Sequence, residues 1–172
     1  MSGRSESRCR PALPGRIFYF PGDYMAAQLG KTAQAAGPQP AIHRLEIETL
    51  AHVQFKDITT DIQALVASSG VQSGLCHIFV MHTTAAILIN ENDDPAFTRD
   101  LGDFLARLAP PDKAYHHNDG NCDSHLKASL IGCSKTLIVE NGRLALGRWQ
   151  GIYLCEFDGP RRRELRVKIA SD

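Results

Sequence analysis

A chain of 172 residues, 43% apolar and 22% charged, is long enough for one domain with its own core, and it holds no run near the ~20 apolar residues of a membrane span. Its 19 basic and 19 acidic residues cancel, which speaks against a nucleic-acid partner, whose usual footprint is a basic excess. The five cysteines (Cys9, Cys76, Cys122, Cys133, Cys155) contain no Cys-x-x-Cys pair, so a disulfide scaffold or zinc ribbon is disfavoured and free thiols in a reducing cytoplasm are expected.

Residues 1–40 are rich in Gly, Pro, Ala and Gln, show no period, and predict a mobile extension; residues 41–172 predict a single domain. Ile42, Leu45, Ile47 and Leu50, interleaved with charges, predict a first strand. Thr59 or Thr60 would cap a short helix that carries Ile62, Leu65 and Val66 and closes at Gly70. Residues 75–81 are β-rich, and residues 85–90 continue or partner them. The strongest helix signal covers residues 95–109: Asp93 or Asp94 as cap, Pro95 at the first helical position, and Pro110-Pro111 as terminator. Phe97, Leu101, Phe104, Leu105 and Leu108 form one apolar stripe, which predicts packing on a sheet.

A polar loop follows over residues 115–127, and it holds three of the seven histidines together with Asp119, Asp123, Asn118 and Asn121. Imidazoles and carboxylates in such density bind metals and move protons. Ser124 is a candidate cap for a short helix with Leu126, Leu130 and Ile131 as its apolar residues. Beyond it, residues 136–146 read as a hairpin turning at Asn141-Gly142. Residues 151–157 form another strand, Asp158-Gly159-Pro160 a turn, and residues 164–169 a last alternating strand. Strands joined mostly by short turns make the expected class α+β with a mainly antiparallel sheet. No Gly-rich phosphate loop is present.

Several side chains carry possible chemistry. His82 closes a strand, which would aim its ring firmly; a half-buried structural histidine is the plain alternative. His116 and His117 are neighbours, and in extended backbone one of the two faces a given site. With His82 and His125, that one could give a three-nitrogen metal site with an open position. Asn90 and Glu91 follow an apolar strand directly, where the capping that explains Asp93 and Asp94 does not need them. Gln150, between the sole tryptophan and a glycine, could bond substrate or backbone. Glu156, inside an apolar strand, is either paired with a cation or poised as a base with a raised pKa. Arg161-Arg162-Arg163 reads as a solvated turn.

The run His82-Thr83-Thr84-Ala85-Ala86, the Asn90-Glu91-Asn92 knot, the loop ending in Ser124-His125-Leu126-Lys127, and the block from Gly147-Arg148-Trp149-Gln150-Gly151 through Glu156-Phe157-Asp158-Gly159-Pro160-Arg161 together resemble the YjbQ-like family, often labelled secondary thiamine-phosphate synthase. The resemblance spans about residues 41–170. It implies an α+β fold and a homotrimer with sites near subunit interfaces. It also implies a polar pocket holding a divalent metal, zinc or magnesium. In that pattern His82, His117 and His125 are the metal ligands. Glu156 and Asp119 are the catalytic groups, and Asn90, Gln150 and Asn121 contact a small phosphorylated substrate. His116 falls where the family varies, and Arg148 stands where many relatives carry Thr. The implied reaction joins a pyrimidine diphosphate to a thiazole phosphate and releases pyrophosphate. A trimeric pocket that binds a metabolite or oxyanion without turnover is the competing expectation.

Overall fold

The computed structural model describes residues 42–172 with the exception of Asn118, so the extension predicted over residues 1–40 lies outside the described residues. In chain order the elements are β1 (Ile42–Glu48), β2 (Gln54–Asp57), α1 (Thr59–Ser69), β3 (Ser73–Val80), β4 (Ala85–Glu91), α2 (Ala96–Leu108), α3 (Cys122–Ile131), β5 (Ser134–Glu140), β6 (Arg143–Leu144), β7 (Gln150–Glu156) and β8 (Arg162–Ser171). They form an α+β fold with two antiparallel sheets, one of five strands in the order β1-β8-β3-β5-β6 and one of three in the order β2-β7-β4.

Alternation places the core. On β3, Cys76, Ile78 and Val80 point inward while Leu75, His77 and Phe79 remain exposed. On β8 the buried set is Arg163, Leu165, Val167 and Ile169. These residues meet Ile87, Ile152 and Leu154 of the small sheet, with Ile62 and Val66 of α1, in the main core. The other face of the small sheet carries a second core, in which Ala86, Tyr153, Cys155 and Phe157 pack with Leu105 of α2 and Ala128 of α3. Strand β7 therefore lies between two apolar layers, and all but its first residue are buried. That double burial is why residues 152–155 read as a continuous apolar run.

Local signals explain the boundaries. Asn141 (φ 52°) and Gly142 (φ 71°) both adopt the left-handed region that a two-residue hairpin turn requires, as their sequence predicts. The N-cap of α1 is Ile58 rather than either threonine, and the Asp57 carboxylate just before it accepts from the Thr59 N–H at 2.8 Å. Strand β2 goes beyond the predicted elements, because four residues are too few to show a period.

The two outer helices depart from expectation in their faces. On α2 only Leu105 of the predicted stripe is buried; Phe104 and Leu108 are 53% and 56% exposed. Helix α3 begins at Cys122 with Asn121 as its N-cap, so Ser124 sits in the first turn rather than capping it. Its inward residues are Asp123, Ser124, Lys127 and Ala128, while the predicted anchors Leu126 and Leu130 face out. The i, i+4 pair Lys127–Asp123, joined at 2.7 Å, makes that polar face tolerable in the interior.

Candidate functional site

The end of β3, the β3–β4 connection, helix α3 and the link from α3 to β5 line an open cavity of about 740 Å³, with His82, Phe79, Met81, Ala85, His125, Ser129 and Cys133 in its wall. Backbone bonds hold the connection rigidly, with the Val80 N–H donating to Cys133 O (2.9 Å) and the Met81 N–H to Glu164 O (3.0 Å). His82 completes this clamp. Its Nε2 accepts from the Glu164 N–H at 2.9 Å, so the remaining polar edge of the ring, Nδ1–H, is a donor. Partial burial, and next the Arg163 charge, lower its pKa below the ordinary 6.5, against the opposing pull of Glu156 and Glu164. At neutral pH the ring is uncharged.

Beneath this wall lies a closed polar centre. The Glu156 carboxylate, with no exposed surface, accepts from Arg163 Nε at 2.6 Å and from Arg163 Nη2. It also accepts from the Thr49 hydroxyl at 2.9 Å and from the Phe157 and Asp158 N–H groups at 3.0 and 2.9 Å. Arg163 in turn donates to Thr84 Oγ1 at 2.9 Å. Burial pushes the Glu156 pKa upward, but the arginine and backbone donors outweigh it and hold the carboxyl below its ordinary 4.5. Of the two alternatives open from sequence, the raised-pKa base is therefore corrected: Glu156 is the ion-paired carboxylate. Gly159 passes so close that a Cβ there would stand 2.3 Å from Ala51 O and 2.8 Å from Glu156 Cγ, so only glycine closes this turn.

The centre also sets the helix that carries His125. The chain beyond Glu156 is fastened to the start of α3 twice, by the Ser124 hydroxyl donating to Phe157 O (2.5 Å) and by Asn121 Nδ2 donating to Asp158 Oδ2 (3.0 Å). Arg161 donates to the same Asp158 oxygen at 2.9 Å. Burial would raise the Asp158 pKa, but the Asn121 and Arg161 donors bring it below its usual value. The amide of Asn121 thus faces Asp158, and its backbone carbonyl accepts the Ser124 and His125 N–H groups.

The predicted residues divide into separate groups. His82 and His125 share the cavity wall. The exposed His117 ring lies 5.0 Å from His125 between centroids, tilted by 48°, and its Nε2 is 3.7 Å from Asp119 Oδ2. Among the described residues no group of three or more His, Cys, Asp or Glu side chains gathers closely enough to hold a metal ion. The donor set fits an ion only through His117 and His125, since Nε2 of His82 is engaged elsewhere. Asn90 and Gln150 stand at the other end of β4 and β7, in a separate recess. The five residue steps from Ala85 to Asn90 put them about 17 Å from the histidine cavity.

Arg163, expected from sequence in a solvated turn, is instead the buried cation beneath the wall. The signal that finds it is the β8 alternation, which places residue 163 on the same face as Leu165, Val167 and Ile169. Among the described residues no helix is long and apolar enough to cross a membrane.

Comparison with known proteins agrees with the sequence blocks. Residues 43–172 match the family model described as UPF0047 protein YjbQ-like. A UPF0047 protein of Methanocaldococcus jannaschii is 46% identical over 131 residues, covering 76% of this chain and 95% of that protein. A crystal structure of an uncharacterized conserved YjbQ/UPF0047-family protein from Clostridium acetobutylicum is 48% identical with a TM-score of 0.73, covering 74% of this chain and 99% of that one. A similar protein of unknown function from Sulfolobus solfataricus P2 is 33% identical with a TM-score of 0.75, covering 78% and 99%.

Proposed function

Since this chain belongs to the YjbQ-like UPF0047 family, we propose that it is a small-molecule transferase of the secondary thiamine-phosphate synthase type, working in the His82–His125 cavity. The observation that carries this reading is a cavity of about 740 Å³ that combines apolar walls with imidazoles from two different elements. Phe79, Met81, Ala85 and Ala128 offer surface for a heteroaromatic ring and exclude water from the carbon that becomes electron-poor as the diphosphate leaves. In that step the thiazole nitrogen forms a bond to the pyrimidine methylene carbon, the carbon–oxygen bond breaks, and pyrophosphate carries off the electron pair. His82, uncharged and donor-only, suits a phosphate or ring acceptor better than it suits proton abstraction. Among the described residues no lysine or arginine lines the cavity. A divalent ion held by His117 and His125 would supply the positive charge that the diphosphate oxygens need. Glu156 is then a positioning residue, which acts through Asp158 and Asn121 on the helix that carries His125. The same proposal makes the working form a cytoplasmic homotrimer, to which the free thiols Cys76, Cys122, Cys133 and Cys155 are suited.

The test is pyrophosphate release, with mass detection of thiamine phosphate, from a pyrimidine diphosphate and a thiazole phosphate. The purified protein turns over, and His117→Ala/His125→Ala lowers kcat/KM about 100-fold. No turnover by the native chain, or full turnover by the double variant, sinks the reading. The competing reading, a binding pocket without chemistry, is favoured by one observation: Glu156 is wholly engaged and offers no free base. Calorimetric binding of the thiazole phosphate without any pyrophosphate release decides for it.

A further inference from the structure

Phe79 and Met81 belong to two walls at once. They line the His82–His125 cavity, and they also line an open depression of about 550 Å³ on the outer face of the five-stranded sheet, with Ile42, His77, Arg166 and Lys168. Strand register puts these side chains on one face. Lys168 lies opposite both Ile42 and His77, and two residues along, Arg166 lies opposite Phe79. Directly opposed residues share a face. On β3 that face is the outward one, since Cys76, Ile78 and Val80 point into the core.

The cavity and the depression differ in charge. Among the described residues the cavity wall carries no lysine or arginine, whereas the depression carries one of each and no carboxylate among its lining residues. Arg166 donates through Nη2 to Glu164 Oε1 at 2.6 Å and keeps further N–H donors on the same guanidinium. Lys168 is exposed, and among the described residues it makes no ion pair. A single exposed lysine is ordinarily just solvated. Here a second cation stands one row away, beside apolar surface from Ile42, Phe79 and Met81. Two cations next to apolar surface fit a compact anion carried on an apolar body, as in a phosphate ester. Two strand steps, about 7 Å, separate Phe79 from Met81, a gap that a short phosphorylated arm on a ring bridges.

We propose that Lys168 and Arg166 anchor the phosphate of the thiazole phosphate, with its arm over Phe79 and Met81 and its ring in the histidine cavity. Resting on the transferase reading, this anchor gives the two anions separate partners. The diphosphate goes to the ion at His117 and His125, and the monophosphate goes to the sheet face.

Calorimetry on the full-length protein with the thiazole phosphate alone, where no turnover can occur, reads the anchor directly. The native chain binds it. Lys168→Gln weakens binding about tenfold through loss of one charge-assisted hydrogen bond, Lys168→Arg restores most of it, and the Lys168→Gln urea midpoint stays in place. Arg148→Gln, which removes a positive charge beyond the far end of β7, leaves the affinity unchanged. In the turnover assay Lys168→Gln raises KM for the thiazole phosphate about tenfold and leaves KM for the pyrimidine diphosphate alone. The proposal is overturned by no binding, by affinity indifferent to Lys168→Gln or lowered equally by Arg148→Gln, or by equal binding of the unphosphorylated thiazole alcohol or of inorganic phosphate. Lys168-dependent binding without pyrophosphate release by the native chain removes the transferase reading and keeps the anchor. Pyrophosphate release with KM indifferent to Lys168→Gln does the reverse.

Discussion

The Glu156–Arg163 centre and the His117–His125 rim both collect titratable side chains, and the chain treats them in opposite ways. In the centre every charge is buried and answered: Glu156 has donors from Arg163, Thr49 and two backbone amides, and Arg163 reaches on to Thr84. At the rim His117 is exposed, the Asp119 carboxylate is 3.7 Å away, and among the described residues no hydrogen bond fixes its ring or that of His125. A fully bonded buried group has no capacity left for a ligand, whereas a half-solvated imidazole does. Glu156, the strongest-looking catalytic residue in the sequence, is thus fully engaged in the scaffold, whereas the rim keeps imidazoles open to solvent.

Removing one partner from the centre is the most damaging way to break this contrast. Glu156→Gln leaves the Arg163 guanidinium buried without its counter-charge and costs about 3–5 kcal/mol, read as a lower midpoint in urea unfolding. Arg163→Met alone costs a similar amount. The double variant Glu156→Leu/Arg163→Met costs clearly less than the sum, because no orphaned charge remains. Additive losses would mean that the two side chains do not act as one unit.

Acid titration separates His82 from Glu156 on the same molecule. Both have lowered pKa values in the folded state, so each favours the deprotonated form and each contributes stability above its unfolded value. The His82 contribution is complete above pH 6.5 and is lost as pH falls below that value towards the folded pKa. The Glu156 contribution begins to fade only below 4.5. Unfolding free energy measured from pH 8 downward should show two successive declines. His82→Gln costs about 1 kcal/mol at pH 7, from the weakened partner of the Glu164 N–H, and flattens the first decline alone. An unchanged first decline in that variant would place the titrating group elsewhere.

How far these features are legible in the sequence depends on the length of the pattern that encodes them. The sheet fold, the Asn141-Gly142 hairpin and the start of α2 follow from short-range rules and appear nearly where expected. The inner face of α3 does not, because Asp123, Ser124 and Lys127 are buried through partners close by and 33 residues distant, and apolar periodicity cannot register polar burial. Likewise His82 and His125 converge because α3 packs on β4 beside the β3–β4 connection, a long-range contact that the loop's composition only hints at. Asn90 and Gln150 show the opposite mismatch. They stand at the same end of β4 and β7, far from the histidines, but Asn90 lies opposite Gly151 and Gln150 opposite Glu91, so alternation sends their side chains to opposite faces of the sheet. Arg163 is within reach of the sequence: carrying the β8 alternation back from Leu165 by two residues puts it on the buried face, where a carboxylate such as Glu156 needs a cation.

The smallest expected effect probes the rim. His117 is exposed, lies against the His125 ring and is outside both cores, so His117→Ala should shift the unfolding free energy by no more than about 0.5 kcal/mol. That near-silence is informative when measured beside Glu156→Gln. If His117 belongs to a ligand-facing rim, its removal lowers turnover or ligand affinity while the urea midpoint stays in place. If it instead braces α3 through the stacked ring, stability falls and His125→Ala falls with it in a coupled fashion, which a double-mutant cycle detects as a non-additive term. The two groups of titratable residues would then differ in degree of burial, and no longer in purpose.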